Sequence, residues 1–206
     1  MIEVYAFATP NSIKVPIALE ELGFDYTLSG VNVRKGEQKL PEFIALNPNA
    51  KVPVLVDGPL VLTESAAILV YLAETTGKLL PAAGVARARV FEQLFFHASG
   101  LGPAFGQAGF FKKQAAEPQL LAIARFEAEA ARTAGMLDLA LSRHEFIAGD
   151  QFTIADIAHF GWLWRRAFAE VDITGLPSLS RWVAATEARP AVQRAIARVE
   201  ELIPLG

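Results

Sequence analysis

Thr9, Asn11 and Ser12 crowd into the stretch ATPNSIKV, residues 8–15, where a short apolar run gives way to an amphipathic one. Two hydroxyls and an amide at a loop-to-helix junction supply hydrogen-bond donors. The N–H groups of residues 11–13, at the start of the helix, are expected to face outward beside them. Such a set forms a pocket for an anion about the size of a thiolate, although the same side chains also serve if they only cap the helix. A second set, Thr63, Glu64 and Ser65, follows a strand and opens a helix. There the N–H groups at 65–67 point out of the positive helix end and would receive a carboxylate. Glu64 beside them can accept from an α-ammonium, so Glu64 and Ser65 suit a zwitterionic amino-acid end; the alternative is capping by Thr63, with Glu64 favouring the dipole. In NPNAKVPVLVD, residues 47–57, Pro53 opens an apolar strand in which it donates no ladder bond. A cis Val52–Pro53 bond at a bend would leave the Val52 backbone to pair with an extended peptide; an ordinary edge-strand proline is the other reading.

Composition limits what these residues act on. With Cys 0 the chain forms no disulfide, offers no thiolate to a metal and has no cysteine nucleophile, so any thiol must come from another molecule. Its 3 histidines, at 97, 144 and 159, contain no His-x-x-x-His pair, so no metal is expected. A net charge of -3 argues against nucleic acid as a partner. No apolar run approaches the roughly 18 residues of a spanning helix, and MIEVYAFATP lacks a basic n-region, so a soluble cytoplasmic protein without membrane contact is expected. The hydrophobic fraction of 52% suits helices that bury subunit surfaces.

The elements that must position the candidate residues alternate over the first eighty positions. The pattern predicts a strand over residues 2–7, a helix over 13–22 stopped by Gly23, a strand over 26–33 and a short helix over 41–46. Strands over 52–56 and 60–62 follow, then a helix over 64–76 ending at Gly77. Pro16 falls within the first turn of its helix, where donors are spare. Beyond Leu80, Pro81 and the small residues after it mark a linker, and strand signals cease. Helices are predicted over 85–99, 119–141, 153–168, 178–188 and 192–202. This gives two domains: residues 1–80, a linker at 81–86, and a helical domain at 87–206. In FTIADI, residues 152–157, Thr153 and Asp156 form a capping box with Phe152 stapled onto Ile157, a device that locks a buried helix.

Taken in order, TPNSIKV, NPNAKVPVLVD, LTESAAILVYLAE and FTIAD resemble the cytosolic glutathione transferase superfamily over nearly the whole chain. The resemblance implies a thioredoxin-like α/β N-terminal domain, an all-α C-terminal domain and a homodimer. It implies that Val52 pairs through its backbone with the cysteinyl part of glutathione, with Pro53 cis. Glu64 and Ser65 would hold the γ-glutamyl end, and Lys51 and Gln38 would approach the glycine end. The T-P-N triplet resembles the bacterial nu-like group, in which Thr9 and Asn11 would address the thiol and Arg132 would reach the peptide from the neighbouring subunit. Tyr5 lies inside the first strand, which speaks against a tyrosine-activated thiol. Ser12 stands where that group often has Gly, so Asn11 and Ser12 compete for the thiol.

A thiol of pKa about 8.5 must fall roughly two units to be mostly thiolate at neutral pH, a preference of about 2.7 kcal/mol. One charge-assisted hydrogen bond of about 1.5–3 kcal/mol with a helix-end contribution of about 0.3–1 supplies it, so no dedicated base is required. The expected activity is attack of glutathione thiolate on a small electrophile or a disulfide, as a glutathione transferase or disulfide-bond reductase. Isomerase or dehalogenase chemistry and a non-catalytic binding or regulatory module on the same fold are the alternatives. The acceptor pocket is expected near Thr9 and the first helices of the second domain, where Phe105, Phe110, Phe111 and Trp164 are available.

Overall fold

The register of one small sheet determines where the candidate residues emerge. In the computed structural model, which describes residues 1–203, the strands β1 (Ile2–Ala6), β2 (Tyr26–Gly30), β3 (Val54–Asp57) and β4 (Leu60–Thr63) lie in the order β2-β1-β3-β4. β1 runs parallel to β2 and antiparallel to β3, and β3 is antiparallel to β4. Ala6 lies opposite Gly30, Tyr5 opposite Val54, and Val54 opposite Thr63. The segments that follow β1, β2 and β4, and the one that precedes β3, therefore all leave the sheet at one edge. Every candidate residue among Thr9, Asn11, Ser12, Gln38, Lys51, Val52, Pro53, Glu64 and Ser65 lies on one of these segments.

Side-chain alternation divides the sheet into two faces. On one, Phe43 of α2 (Pro41–Leu46) is buried with Val31 and Val54, and Tyr5, Leu46 and Val52 pack around them. The Tyr5 ring meets Phe43 edge-on at 6.4 Å, so Tyr5 belongs to this core. The other face carries Val4 and Leu55, both fully buried. Ile17, Leu19, Ile68, Leu69 and Leu72 are equally buried on α1 (Lys14–Leu22) and α3 (Ser65–Thr76), which pack on each other. Left-handed Gly23 and Gly77 close these two helices, as their sequence predicts.

The last helix, α10 (Pro190–Glu200), packs on α1, so this compact unit comprises Met1–Lys78 and the described residues from Ala188 onward. The expected helical domain at 87–206 thus loses its final helix to the first unit; residues 204–206 lie outside the described residues. The reason is visible in the side chains. Arg189 grips Glu21 through two bonds of 2.6 and 3.0 Å, Arg194 meets Glu20 at 2.7 Å, and Arg198 lies over the Tyr26 ring at 3.9 Å. Hydropathy patterning does not register a clasp made of charges.

The second unit, Leu79–Glu187, is helical: α4 (Gly84–Phe96), α5 (Gly102–Lys113), α6 (Leu120–Leu141), α7 (Ile154–Trp164), α8 (Arg166–Ala169) and α9 (Pro177–Glu187). α4 begins inside the expected linker. α5 is unanticipated, since LGPAFGQAGFF reads as a break; instead the chain passes from α4 through a π-helical turn at His97–Leu101 into α5, with Pro103 in its first turn. Its glycines admit large rings. A Cβ on Gly106 would stand 3.2 Å from Trp162, and one on Gly109 would collide with the Phe168 ring. α7 is buried from Ile154 to Leu163 and starts at the predicted capping box. The Thr153 hydroxyl accepts from the Ala155 N–H at 3.2 Å, and Asp156 accepts from the Thr153 N–H at 2.9 Å. Asp156 also accepts from the Ile147 N–H and the Trp182 indole, while Phe152 packs edge-on against Phe146. Burial pushes the Asp156 carboxyl up, against these donors.

Candidate functional site

After β1 the chain folds tightly around Thr9. The Thr9 N–H donates to Phe7 O at 2.6 Å, and Ser12 N–H and Ile13 N–H donate to Thr9 Oγ1 and Thr9 O, both at 3.2 Å. The expectation that N–H groups at 11–13 face outward is therefore corrected for Ser12 and Ile13: the threonine consumes both. The Thr9 hydroxyl in turn donates to Ser12 Oγ at 2.9 Å, and Ser12 Oγ also accepts from Phe7 N–H at 3.4 Å. Ser12 is fully buried, whereas Asn11 is half-buried.

Asn11 is held from below by a residue that the hydropathy pattern does not single out. Lys14, the first residue of α1, has no exposed surface; its ammonium donates to Asn11 Oδ1 at 2.7 Å and to Ser65 Oγ at 3.3 Å. Burial pushes its pKa well below 10.5, and the charge of Glu64 opposes that shift. The only signal in the sequence is a lysine inside an apolar stripe at the first turn of a helix. One nitrogen thus joins the loop after β1 to the first residue of α3.

Glu64 precedes α3 with φ 65 and ψ 107, a conformation sparsely populated by residues other than glycine, and its side chain makes no cap. Thr63 remains in β4, so capping by Thr63 is not what starts this helix. With no side-chain cap, the first amides of α3 retain their demand for an acceptor.

On the β3 side the Val52–Pro53 bond is cis, and the ladder to β1 reaches only Val54, leaving Val52 outside it. Asn47 is buried and builds the loop before it, donating to Lys51 O at 2.7 Å and accepting from Asn49 N–H at 3.0 Å. Lys51 is exposed. Gln38, in the short turn Glu37–Lys39, has its Oε1 buried with no hydrogen-bond partner. Arg132 lies in the other unit, exposed on α6, with its guanidinium bound by both oxygens of Glu129 at 2.7 and 2.8 Å. Phe105 is fully buried against Trp162, Phe111 stacks on Phe126, and Arg165 lies over Trp164, while Phe110 is 43% exposed.

Among the described residues no group of three or more His, Asp or Glu side chains could hold a metal, and no helix is long and apolar enough to cross a membrane.

Residues 1–74 match the family model of the glutathione S-transferase N-terminal domain, and residues 106–190 match that of the C-terminal domain. The chain is 36% identical to the disulfide-bond oxidoreductase YfcG of Escherichia coli strain K12, over 97% of this chain and 96% of that protein. A glutathione transferase family member from Pseudomonas fluorescens Pf-5, crystallised with two glutathione molecules, superposes with a TM-score of 0.90 at 41% identity, covering 95% of this chain and 92% of the other. A glutathione transferase from Pseudomonas putida, with one glutathione disulfide bound per subunit, gives 0.89 at 36% identity, covering 95% and 90%.

Proposed function

Because this chain belongs to the glutathione S-transferase family, we propose that it is a glutathione-dependent enzyme whose bound thiolate reduces disulfides. The observation that carries the reading is the juxtaposition of Asn11 and Ser65 on the single nitrogen of Lys14. It brings a donor suited to a thiolate next to a helix start suited to a carboxylate, as one peptide carrying both groups would require.

Within this reading Ser65 and the amides of α3 take the γ-glutamyl carboxylate, and Glu64 takes its α-ammonium. Val52 pairs with the cysteinyl backbone. Lys51 serves the glycine carboxylate, and the unpartnered oxygen of Gln38 accepts from a peptide N–H at that end. Asn11 addresses the sulfur, a choice supported by the burial of Ser12 and the occupation of its oxygen by Thr9. In a homodimer, Arg132 of the partner subunit would reach the peptide only after exchanging its bond to Glu129.

Disulfide reduction is favoured over conjugation by the oxidoreductase relative and by the glutathione disulfide in the Pseudomonas putida protein. The absence of cysteine fixes the electron count: the enzyme contributes no thiol, so both electrons come from two glutathiones. The first thiolate attacks one sulfur of the substrate disulfide, forms a mixed disulfide and expels a thiolate. The second attacks the glutathione sulfur of that mixed disulfide, giving glutathione disulfide and a second substrate thiol. Such chemistry suits the reducing cytoplasm.

Turnover on hydroxyethyl disulfide and on a chloronitrobenzene, measured in one preparation, tests the reading. One glutathione disulfide formed per substrate disulfide consumed, at a rate well above conjugation, is the expected result. Dominant conjugation would make the protein a transferase in the narrow sense, and absence of glutathione binding would reduce it to a binding module.

A further inference from the structure

Lys14 has no exposed surface, although it occupies a helical position where an apolar side chain would bury without cost. Burying an ammonium costs several kcal/mol unless its donors are used. What it does with those donors is specific. Two of the bonds it gives go to atoms of the candidate site, Asn11 Oδ1 at 2.7 Å and Ser65 Oγ at 3.3 Å.

Asn and Ser are ambivalent hydrogen-bonding groups. A carboxamide turned one way presents its oxygen and turned the other way its NH2, and a hydroxyl proton rotates to whichever acceptor is near. Toward an anionic sulfur or a carboxylate only the donor orientation is useful. A lysine ammonium donates and never accepts, so a carboxamide bonded to it must offer Oδ1 and turn its NH2 away. A hydroxyl oxygen bonded to it must likewise direct its proton elsewhere. We propose that Lys14 is a positioning residue that commits Asn11 and Ser65 to act as donors toward the two anionic ends of the bound peptide. This rests on the reading of the site given above. It also accounts for a lysine that the fold does not need: a residue that violates the apolar pattern of its helix is expected where function requires it. The donor orientation then exists before the ligand arrives, and no reorientation of the amide has to accompany formation of the thiolate.

The test compares wild type, Lys14→Met and Lys14→Arg by calorimetric binding of glutathione, followed by titration of the bound thiol through its thiolate absorbance. In Lys14→Met the thiol pKa is expected to rise by about one unit or more, so that about tenfold less thiolate is present at a pH below it. Lys14→Arg, which still only donates, restores most of the thiolate. A bound-thiol pKa in Lys14→Met equal to that of wild type overturns the proposal while leaving the glutathione site intact. Wild type that binds no glutathione overturns the site itself. If Lys14→Met does not fold, Asn11→Asp decides: it keeps an acceptor for Lys14 but turns an oxygen toward the sulfur. Its bound-thiol pKa should exceed that of Asn11→Ala, and an equal or lower value overturns the proposal.

Discussion

The Thr9 hydroxyl donates to Ser12 Oγ at 2.9 Å while the Ser12 N–H donates back to Thr9 Oγ1 at 3.2 Å. This reciprocal pair closes the loop after β1 and ties up the buried Ser12, whereas Asn11 is half-buried, which supports the proposal that Asn11 and not Ser12 addresses the thiol. Ser12→Ala removes the acceptor used by Thr9 and by the Phe7 N–H. It should lower stability by about 1–2 kcal/mol in urea denaturation and leave kcat per folded enzyme nearly unchanged. Asn11→Ala should show the opposite pattern.

The buried lysine makes a statement about stability as well as chemistry. Its folded pKa is depressed below 10.5, so between that folded value and 10.5 the unfolded chain binds more protons and stability rises with pH. The contribution is complete above 10.5 and is lost as pH falls through the folded pKa. Wild type should therefore gain stability relative to Lys14→Met as the pH is raised from neutral toward 10.5, read as the difference in urea midpoints. Parallel curves would mean that Lys14 is not desolvated in the folded protein.

At the α10 clasp the sign reverses. Burial alone would raise the Glu20 pKa, but the donors of Arg194, Tyr26 and Arg198 outweigh it and hold the carboxyl below 4.5. The stabilisation is present above 4.5 and disappears as pH falls through the folded value. Melting temperature should decline more steeply below pH 4.5 in wild type than in Glu20→Gln.

In the helical unit, Asp156 accepts from the Ile147 N–H, the Trp182 indole and both donors of Thr153. Asp156→Ala leaves these buried donors without their acceptor, a loss of about 3–5 kcal/mol to be read by denaturant titration. A change below about 1 kcal/mol would mean that the capping box is incidental.

Much of this was legible in the sequence because strong local signals agree with the fold. The two glycine stops, the Thr153–Asp156 box and the period-2 strands each specify their own element, and the strand order then carries residues 9–12, 51–53 and 64–65 to one sheet edge. Local signals failed where distant residues decide. The glycines of α5 read as breaks because their reason, the rings of Trp162 and Phe168, lies more than fifty positions away. The N–H groups of Ser12 and Ile13 were expected to point outward because the return of Thr9 onto them is a matter of loop geometry. Lys14 was not singled out because nothing nearby in sequence reveals that its ammonium reaches Ser65.

Asn11 is proposed to donate to a glutathione thiolate. The most direct measurement is the pH titration of the thiol of bound glutathione in wild type and Asn11→Ala. Wild type should titrate roughly two units below the free value of about 8.5, and Asn11→Ala should recover about one to two of those units. Coincident titrations in the two proteins would mean that Asn11 does not stabilise the thiolate.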